Sequence, residues 1–256
     1  MSKINKAFSQ GKAFITFITG GDPNITTTEE LIYAMERAGA NLIEIGIPFS
    51  DPVAEGDTIQ KANERALRAG TTTDKLFDMV GRVRTKSDIP LVFLTYANPI
   101  YTYGKERFFK KCQENGVDGV IVPDLPFEEK EEFLPECDKY GVDLISLIAP
   151  TSNSRIGMIA SQAKGFIYCV SSLGVTGVRK SINTDIKTMV EEVKKVTNVP
   201  CAVGFGVSDP LQAKELSTIA DGVIVGSAIV EIIEKEGEAC INSVYEYVKT
   251  MKDGLV

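Results

Sequence analysis

One carboxylate stands inside an apolar stretch of the chain. Glu44 lies within residues 42–46, whose apolar and β-branched side chains predict a buried strand. An ionised carboxylate loses heavily on leaving water unless it is paired, so a lone glutamate in a strand is expected to have a raised pKa and a chemical role. A structural ion pair between Glu44 and an arginine or lysine elsewhere in the chain is the alternative.

Three more carboxylates follow in the loop after this strand. Glycine and proline residues punctuate the loop, which carries Asp51, Glu55 and Asp57. Thr58 is then predicted to cap a helix. A buried acid at a strand end, followed by an acid-bearing loop, is typical of a site for proton transfer. We expect Glu44 to donate a proton and Glu55 to accept one, unless Glu55 is solvated and Asp51 or a water molecule takes its place.

The residue types that are missing narrow the chemistry further. The sequence contains no histidine, so the usual general base near neutral pH and the commonest metal ligand are both absent. A zinc-dependent aldolase and a Ser-His-Asp hydrolase are therefore disfavoured, and no metal site is predicted. No lysine falls at the carboxyl end of a predicted strand, which disfavours a Schiff-base aldolase.

Eight short apolar segments, which must position these acids, alternate with helical patterns. The predicted strands are residues 13–19, 42–46, 91–95, 119–122, 143–148, 166–170, 201–204 and 222–225. Continuous apolar strands that alternate with helices predict parallel pairing and right-handed crossovers. We therefore predict an α/β fold, a single (β/α)8 TIM barrel over residues 1–256 with a short N-terminal helix. A doubly wound open sheet is the alternative.

Helix boundaries are predicted from capping residues and apolar spacing. Thr28 is expected to cap a helix that runs to residue 38. Two further helices are expected to be continuous, over residues 104–115 and 127–140.

Glycine-bearing loops follow the last three predicted strands, where barrels commonly bind phosphate through backbone N–H groups and a helix N-terminus. The candidate phosphate-binding residues are Thr176, Gly177, Phe205, Gly206, Gly226 and Ser227. Apolar residues at other strand ends predict a pocket beside this site. The candidates are Phe17, Leu94, Ile121 and Phe205.

The overall composition excludes some partners. A net charge of −7 argues against binding a nucleic acid backbone, which needs clustered Lys and Arg. The five cysteines are widely spaced without a CxxC pair, which is typical of buried, reduced thiols. Neither a leader segment nor an apolar run of membrane-spanning length is evident. We expect a cytoplasmic protein with no membrane association.

Residues 42–60, with Glu-Ile-Gly-Ile-Pro-Phe-Ser-Asp-Pro at their core, resemble the signature segment of the tryptophan synthase alpha subunit family. Segments 19–23, 96–99, 123–126, 174–177, 204–206 and 225–228 resemble further family segments in the same order. The resemblance implies retro-aldol cleavage of indole-3-glycerol phosphate to indole and glyceraldehyde 3-phosphate. It also implies an α2β2 assembly with a β subunit that carries pyridoxal phosphate, and no cofactor in this chain.

The same resemblance assigns roles to individual residues. It implies that Glu44 is the acid-base glutamate and Tyr168 the active-site tyrosine, although a packed aromatic is an equally good interpretation of Tyr168. The residues that match the phosphate-binding loops are Gly177, Gly206, Gly226 and Ser227. The residues that match positions near the partner interface are Pro48, Asp51 and Asn98. Glu55 departs from the family, which usually has aspartate there.

Two other functions are compatible with a phosphate-binding barrel. The first is a related enzyme, such as an isomerase or indoleglycerol phosphate synthase, but these often need a strand-end lysine that is missing here. The second is a regulatory subunit that binds the ligand only to activate a partner. The presence of both Glu44 and Glu55 favours catalysis over this second function.

Overall fold

In the computed structural model, which describes residues 3–150, 153–170, 182–204 and 206–255, eight parallel strands close into a barrel. The strands are β1 Ala13–Thr19, β2 Leu42–Gly46, β3 Leu91–Leu94, β4 Gly119–Ile121, β5 Asp143–Ile148, β6 Ile167–Val170, β7 Cys201–Gly204 and β8 Gly222–Val225. Each strand pairs with the next in the chain, and β8 pairs with β1 through Ala13 and Gly222. The predicted TIM barrel is confirmed, and the open-sheet alternative is wrong.

Helices connect the strands and surround the barrel. They are α1 Lys3–Ala7, α2 Ile25–Arg37, α3 Asp57–Arg68, α4 Thr73–Val83, α5 Ala97–Tyr103, α6 Lys105–Asn115, α7 Leu134–Tyr140, α8 Asn153–Ala160, α9 Ile182–Lys194, α10 Pro210–Ser217, α11 Ser227–Glu236 and α12 Ile241–Asp253. The short leading helix is therefore confirmed as α1. None of the helices within the described ranges is both long and apolar enough to cross a bilayer.

Both predicted capping threonines were wrong. The N-cap of α2 is Asn24, whose side chain accepts a hydrogen bond from the Thr27 N–H at 2.8 Å. Because Asn24 supplies a cap one turn earlier, the Thr28 hydroxyl instead accepts a hydrogen bond from the Gly21 N–H at 2.9 Å. The helix α3 begins at Asp57, before Thr58, because the preceding residue already has extended backbone angles.

One of the two predicted continuous helices is interrupted, and the other is preceded by an additional helix. Residues 127–140 form a 3-10 helix, Phe127–Glu132, followed by α7. Pro135 lies in the first turn of α7, where its missing N–H is tolerated, whereas it would remove a hydrogen bond from a continuous helix. The prediction of a helix over residues 104–115 agrees with α6, but α5 comes directly before it.

Alternate strand residues face the barrel interior and the surrounding helices. Leu42, Val92 and Ile121 belong to the cluster that fills the barrel, whereas Ile43 and Ile45 pack in the layer between strands and helices. Since side chains alternate along a strand, Glu44 points to the same inner side as Leu42. The strand that carries the candidate acid therefore directs it into the barrel.

Candidate active site

Glu44 is enclosed by the barrel. It is 0% exposed, and it pairs in register with Phe17 on β1 and Val92 on β3. Neither of its carboxyl oxygens has a hydrogen-bond partner among the described residues. Burial therefore raises the pKa of Glu44 from 4.5 to about 8. The ion pair considered from the sequence is absent from the described part of the chain, and the carboxyl group is protonated near neutral pH.

Tyr168 lies on the other side of the barrel interior. It is on β6, in register with Leu147 and Ala202, and packs against the inner cluster. Burial raises the pKa of its phenol, and the charge of Glu44 adds to the shift. The following strand makes room for the ring, since a Cβ at Gly204 would lie 2.4 Å from the Tyr168 hydroxyl. Tyr168 is therefore a neutral hydroxyl group in the same interior as Glu44.

Three of the four predicted pocket residues lie at inner positions of β1, β3 and β4. Phe17 belongs to an apolar cluster with Ile59 and Ala62 of α3, and Leu94 packs against that cluster. Leu94 also packs against the inner cluster that contains Ile121. Ile121 is fully buried and pairs in register with Leu94. The arrangement provides an apolar wall next to Glu44.

Glu55 is held by contacts to the rest of the chain. Its Oε2 accepts a hydrogen bond of 2.6 Å from the side-chain amide of Asn63 on α3. Its backbone carbonyl accepts a hydrogen bond of 2.7 Å from the Gln60 amide. Burial raises the pKa of the carboxyl group, while the hydrogen bonds from Asn63 and Tyr96 oppose that shift. Glu55 is thus half-buried and paired, and the interpretation of a freely solvated loop acid is wrong.

Tyr96 anchors the loop from the end of β3, a role that was not predicted. Its hydroxyl oxygen accepts a hydrogen bond from the Ala54 N–H at 3.1 Å, and its ring lies 5.4 Å from that of Phe49. Its hydroxyl also interacts with the carboxylate of Glu55 and lowers the pKa of that group. Burial raises the pKa of Tyr96 to about 12, so the phenol remains a donor at neutral pH. The sequence signals that could have identified it are its position after a strand end and its place in the family-like segment 96–99.

The candidate phosphate end follows β7 and β8, which are neighbours in the barrel. Gly226 is the N-cap of α11 and Ser227 its first residue, and no side chain of the described chain caps this helix. Gly226 also lies against the apolar wall, because a Cβ there would be 3.2 Å from Phe17. Gly206 has a φ of +50°, and no atom of the described residues lies within 4 Å of where its Cβ would be. An uncapped helix N-terminus beside two glycine loops can receive an anion.

Some predicted residues lie outside the described residues or differ in exposure. Thr176, Gly177 and Phe205 fall outside the described residues. Of the residues predicted near a partner interface, Asp51 and Asn98 are exposed, whereas Pro48 is buried. The Asp51 carboxylate accepts a hydrogen bond of 2.5 Å from the Ser50 hydroxyl, and Val53 beside it is 78% exposed. The loop therefore presents both polar and apolar surface next to the barrel mouth.

The site contains no evident metal ligands in the described ranges, where no group of three or more His, Cys, Asp or Glu side chains converges. The five cysteines are all free and buried, as expected from their apolar settings. The acids, the hydroxyl of Tyr168, the apolar wall and the backbone groups of α11 are therefore the functional groups that the described chain provides.

Comparison with known proteins shows the family of the chain. A family model described as "Tryptophan synthase alpha chain" matches residues 4–256. The chain is 48% identical to the tryptophan synthase alpha chain of Thermoanaerobacter sp. (strain X514) over 100% of both chains. It is 45% identical to that of Lacticaseibacillus casei, over 98% of this chain and 95% of the relative.

Solved structures show the same similarity. The tryptophan synthase subunit alpha from Legionella pneumophila str. Paris superposes with a TM-score of 0.90 at 34% identity, covering 100% of this chain and 98% of that one. A chain in a structure of the tryptophan synthase α2β2 complex from Pyrococcus furiosus gives 0.88 at 36% identity, covering 95% and 100%. Since the family model spans almost the whole sequence and full-length relatives are nearly half identical, the chain belongs to the tryptophan synthase alpha chain family.

Proposed function

We propose that Glu44 and Glu55 are the acid and the base with which this chain cleaves indole-3-glycerol phosphate to indole and glyceraldehyde 3-phosphate. The cleavage is the reaction of the family, and it makes the chain a carbon–carbon lyase of tryptophan biosynthesis. The observation that carries the assignment of Glu44 is its complete burial without a partner among the described residues. A group buried in this way is either a structural defect or a reagent whose partner is the substrate.

The reaction needs one proton added and one removed. A proton delivered to C3 of the indole ring makes the ring an electron sink, and the bond between C3 and the glycerol chain then breaks with its electrons entering the ring. The hydroxyl group on the neighbouring carbon loses its proton, and the oxygen electrons form the aldehyde of glyceraldehyde 3-phosphate. Atoms and charge balance without a redox cofactor.

The protonation states of the two acids fit these tasks. With a pKa of about 8, Glu44 carries a proton near neutral pH and can donate it to C3. Glu55 is kept available as a base by donors from Asn63 and Tyr96, which favour its ionised form. Two carboxyl groups in different environments thus take opposite roles in one reaction.

The rest of the site provides binding groups for the two ends of the substrate. We assign the indole ring to the apolar wall of Phe17, Leu94 and Ile121, next to Glu44. The phosphate is assigned to the backbone N–H groups at Gly206, Gly226 and Ser227, with Thr176, Gly177 and Phe205 as further candidates. Tyr168 is assigned to the same cavity as a neutral hydrogen-bond donor.

A partner chain completes the proposed function. We assign to the chain a tryptophan synthase β chain as partner in an α2β2 assembly, which receives the indole and holds pyridoxal phosphate. The support is the likeness to the chain of the Pyrococcus furiosus complex and the exposed Asp51, Val53 and Asn98 beside the barrel mouth. No cofactor is assigned to this chain. Five free, buried cysteines support a cytoplasmic location, where thiols stay reduced.

The test is indole release from indole-3-glycerol phosphate by the full chain, measured with and without a β chain. The wild type should release indole under both conditions, and Glu44→Gln should lose activity by several orders of magnitude because an amide cannot exchange a proton. The matched control is Glu64→Gln, which changes an exposed glutamate of α3 and should keep the wild-type rate. Wild-type turnover by Glu44→Gln would remove Glu44 from the mechanism, whereas no indole from the wild type would leave only a ligand-binding role.

A further inference from the structure

The buried face of α3 contains one polar side chain. This face packs on the barrel through Ile59, Ala62 and Ala66, and Asn63 lies among them at 3% exposure. Burying an amide among apolar groups is unfavourable unless its hydrogen-bonding groups are satisfied. An asparagine at this position therefore needs a specific hydrogen-bond partner.

The partner of Asn63 is the carboxylate of Glu55, eight residues earlier in the chain. The amide nitrogen lies 2.6 Å from Oε2 of Glu55, a short distance typical of hydrogen bonds to charged acceptors. An ionised carboxylate only accepts hydrogen bonds, so an N–H donor favours the ionised form. Glu44 has no such donor in the described chain. Glu55 thus has a hydrogen-bond donor in the described chain, and Glu44 does not.

The position of Asn63 is fixed independently of the loop. Two residues further along α3, Arg65 donates from Nε and Nη2 to the two carboxylate oxygens of Asp22, at 2.9 and 2.8 Å. Asp22 follows β1 and is 1% exposed, and Arg65 also pairs with Glu234 of α11 at 3.2 Å. A bidentate pair of this kind has a defined geometry. Because α3 is anchored to β1 and α11, the amide of Asn63 is a rigid reference point for Glu55.

The same helix places Asn63 close to the proposed reaction site. Ile59 and Ala62 share an apolar cluster with Phe17, which is in register with Glu44. The Asn63 amide is therefore on the side of α3 that faces the barrel opening. We propose that Asn63 is a positioning residue, whose amide holds the Glu55 carboxylate ionised and directed toward the substrate. This inference rests on the proposed role of Glu55 as the base.

A double-mutant cycle tests whether Asn63 acts through Glu55. In the full chain with its β chain, Asn63→Ala should lower kcat about 10- to 100-fold, with KM changed less than about threefold, since it removes one hydrogen bond to a charged group and loosens the base. In the Glu55→Gln background the same substitution should change kcat less than about twofold. Asn63→Ser, which keeps a hydroxyl on α3 but shortens its reach, should behave like Asn63→Ala and provides a second variant.

The matched control is Gln60→Ala on the same helix. Gln60 is exposed, and its amide donates to the backbone carbonyl of Glu55 and not to the carboxylate. This variant should lower kcat less than about threefold. A loss as large as that of Asn63→Ala would show that any contact to the loop has the same effect and would overturn the proposal.

The pH profile provides a readout that a packing effect would not change. Glu55 must be ionised to accept a proton, so kcat falls on the acidic side as its carboxylate becomes protonated. Removing the Asn63 donor raises the pKa of Glu55, and the acidic limb should move to higher pH. The control Gln60→Ala should leave the limb in place. An unmoved limb in Asn63→Ala would contradict the proposed effect on ionisation.

Failure of this proposal can be distinguished from failure of the proposed mechanism. If Asn63→Ala lowers kcat equally in both backgrounds, Asn63 acts through packing, and the proposal is overturned while the role of Glu55 stands. If Glu55→Gln leaves kcat unchanged, Glu55 is not the base, and the positioning role is overturned with it. Only a loss that depends on the presence of the Glu55 carboxylate supports Asn63 as its positioning residue.

Discussion

Glu44→Gln should stabilise the chain at neutral and alkaline pH, although it removes activity. The unfolded chain releases the proton of this residue near its ordinary pKa of 4.5, whereas the folded chain keeps it until about pH 8. Between these two values the folded state binds one proton more than the unfolded state, so rising pH favours unfolding of the wild type. A glutamine has no proton to release and avoids this loss of stability.

The magnitude follows from the size of the pKa difference. Each pKa unit corresponds to about 1.4 kcal/mol, so the wild type should lose about 1.4 kcal/mol of unfolding free energy per pH unit between about pH 5 and pH 8. The full loss across this window is about 5 kcal/mol, and about 3 kcal/mol of it is already present at pH 7. Below pH 4.5 both proteins carry a neutral group, and the remaining difference measures only the exchange of a carboxylic acid for an amide.

The assay is denaturant unfolding of wild type and Glu44→Gln at several pH values from 4 to 9. The informative quantity is the slope of the difference in unfolding free energy against pH, because a constant offset includes the unpaired amide of the variant. Glu64→Gln is the control, since it makes the same substitution at an exposed glutamate of α3, whose surface ion pair with Arg68 contributes little to stability. A flat difference for Glu44→Gln, or a slope of opposite sign, would refute the protonated state of Glu44 in the folded chain.

Three further predictions concern the remaining parts of the site. Glu55→Gln and Glu55→Ala should lose most of the kcat for indole release, and Glu55→Asp should keep part of it, because only aspartate retains a carboxylate. Near-normal rates in all three variants would exclude Glu55 as the base. Gly206→Val should raise KM strongly, because a β-branched residue is strained at a φ of +50° and blocks close backbone approach to the phosphate; an unchanged KM would move the phosphate elsewhere. Addition of a β chain should raise kcat more than it lowers KM, because the loop of residues 49–56 carries the proposed base Glu55 and exposes Asp51 and Val53, which a partner can contact. The opposite pattern in steady-state kinetics would limit the partner to substrate binding.

The position of Glu44 was predictable because it depends on a local rule. Side chains alternate along a strand, so the side chain of Glu44 must face either the barrel interior or the surrounding helices. Both faces of a parallel strand are buried from water. The phosphate end stays a prediction, and it depends on a similar rule. The order of the strands fixes which loops are adjacent, and glycine marks the loops whose backbone a ligand can approach.

The partners of Glu55 were not predictable, because they come from tertiary packing. Asn63 is close in sequence, but its role depends on which face of α3 is buried and on the rotation of that helix. The ion pair that anchors the helix joins Asp22 and Arg65 across 43 positions, and either residue alone resembles an ordinary surface charge. The helix starts were missed for a different reason, since several polar residues in a row offer competing caps.

Closure of the barrel between β1 and β8 has a consequence for how the protein is made. Ala13 of β1 pairs with Gly222 of β8. During synthesis, one edge of β1 therefore stays unpaired until β8 has been made. Until then a nascent or truncated chain exposes an unpaired strand edge, the kind of surface on which polypeptides aggregate. Premature termination upstream of residue 222 should therefore give insoluble fragments and not smaller folded ones. The chain gains solubility and its complete catalytic cavity in the same late step of synthesis.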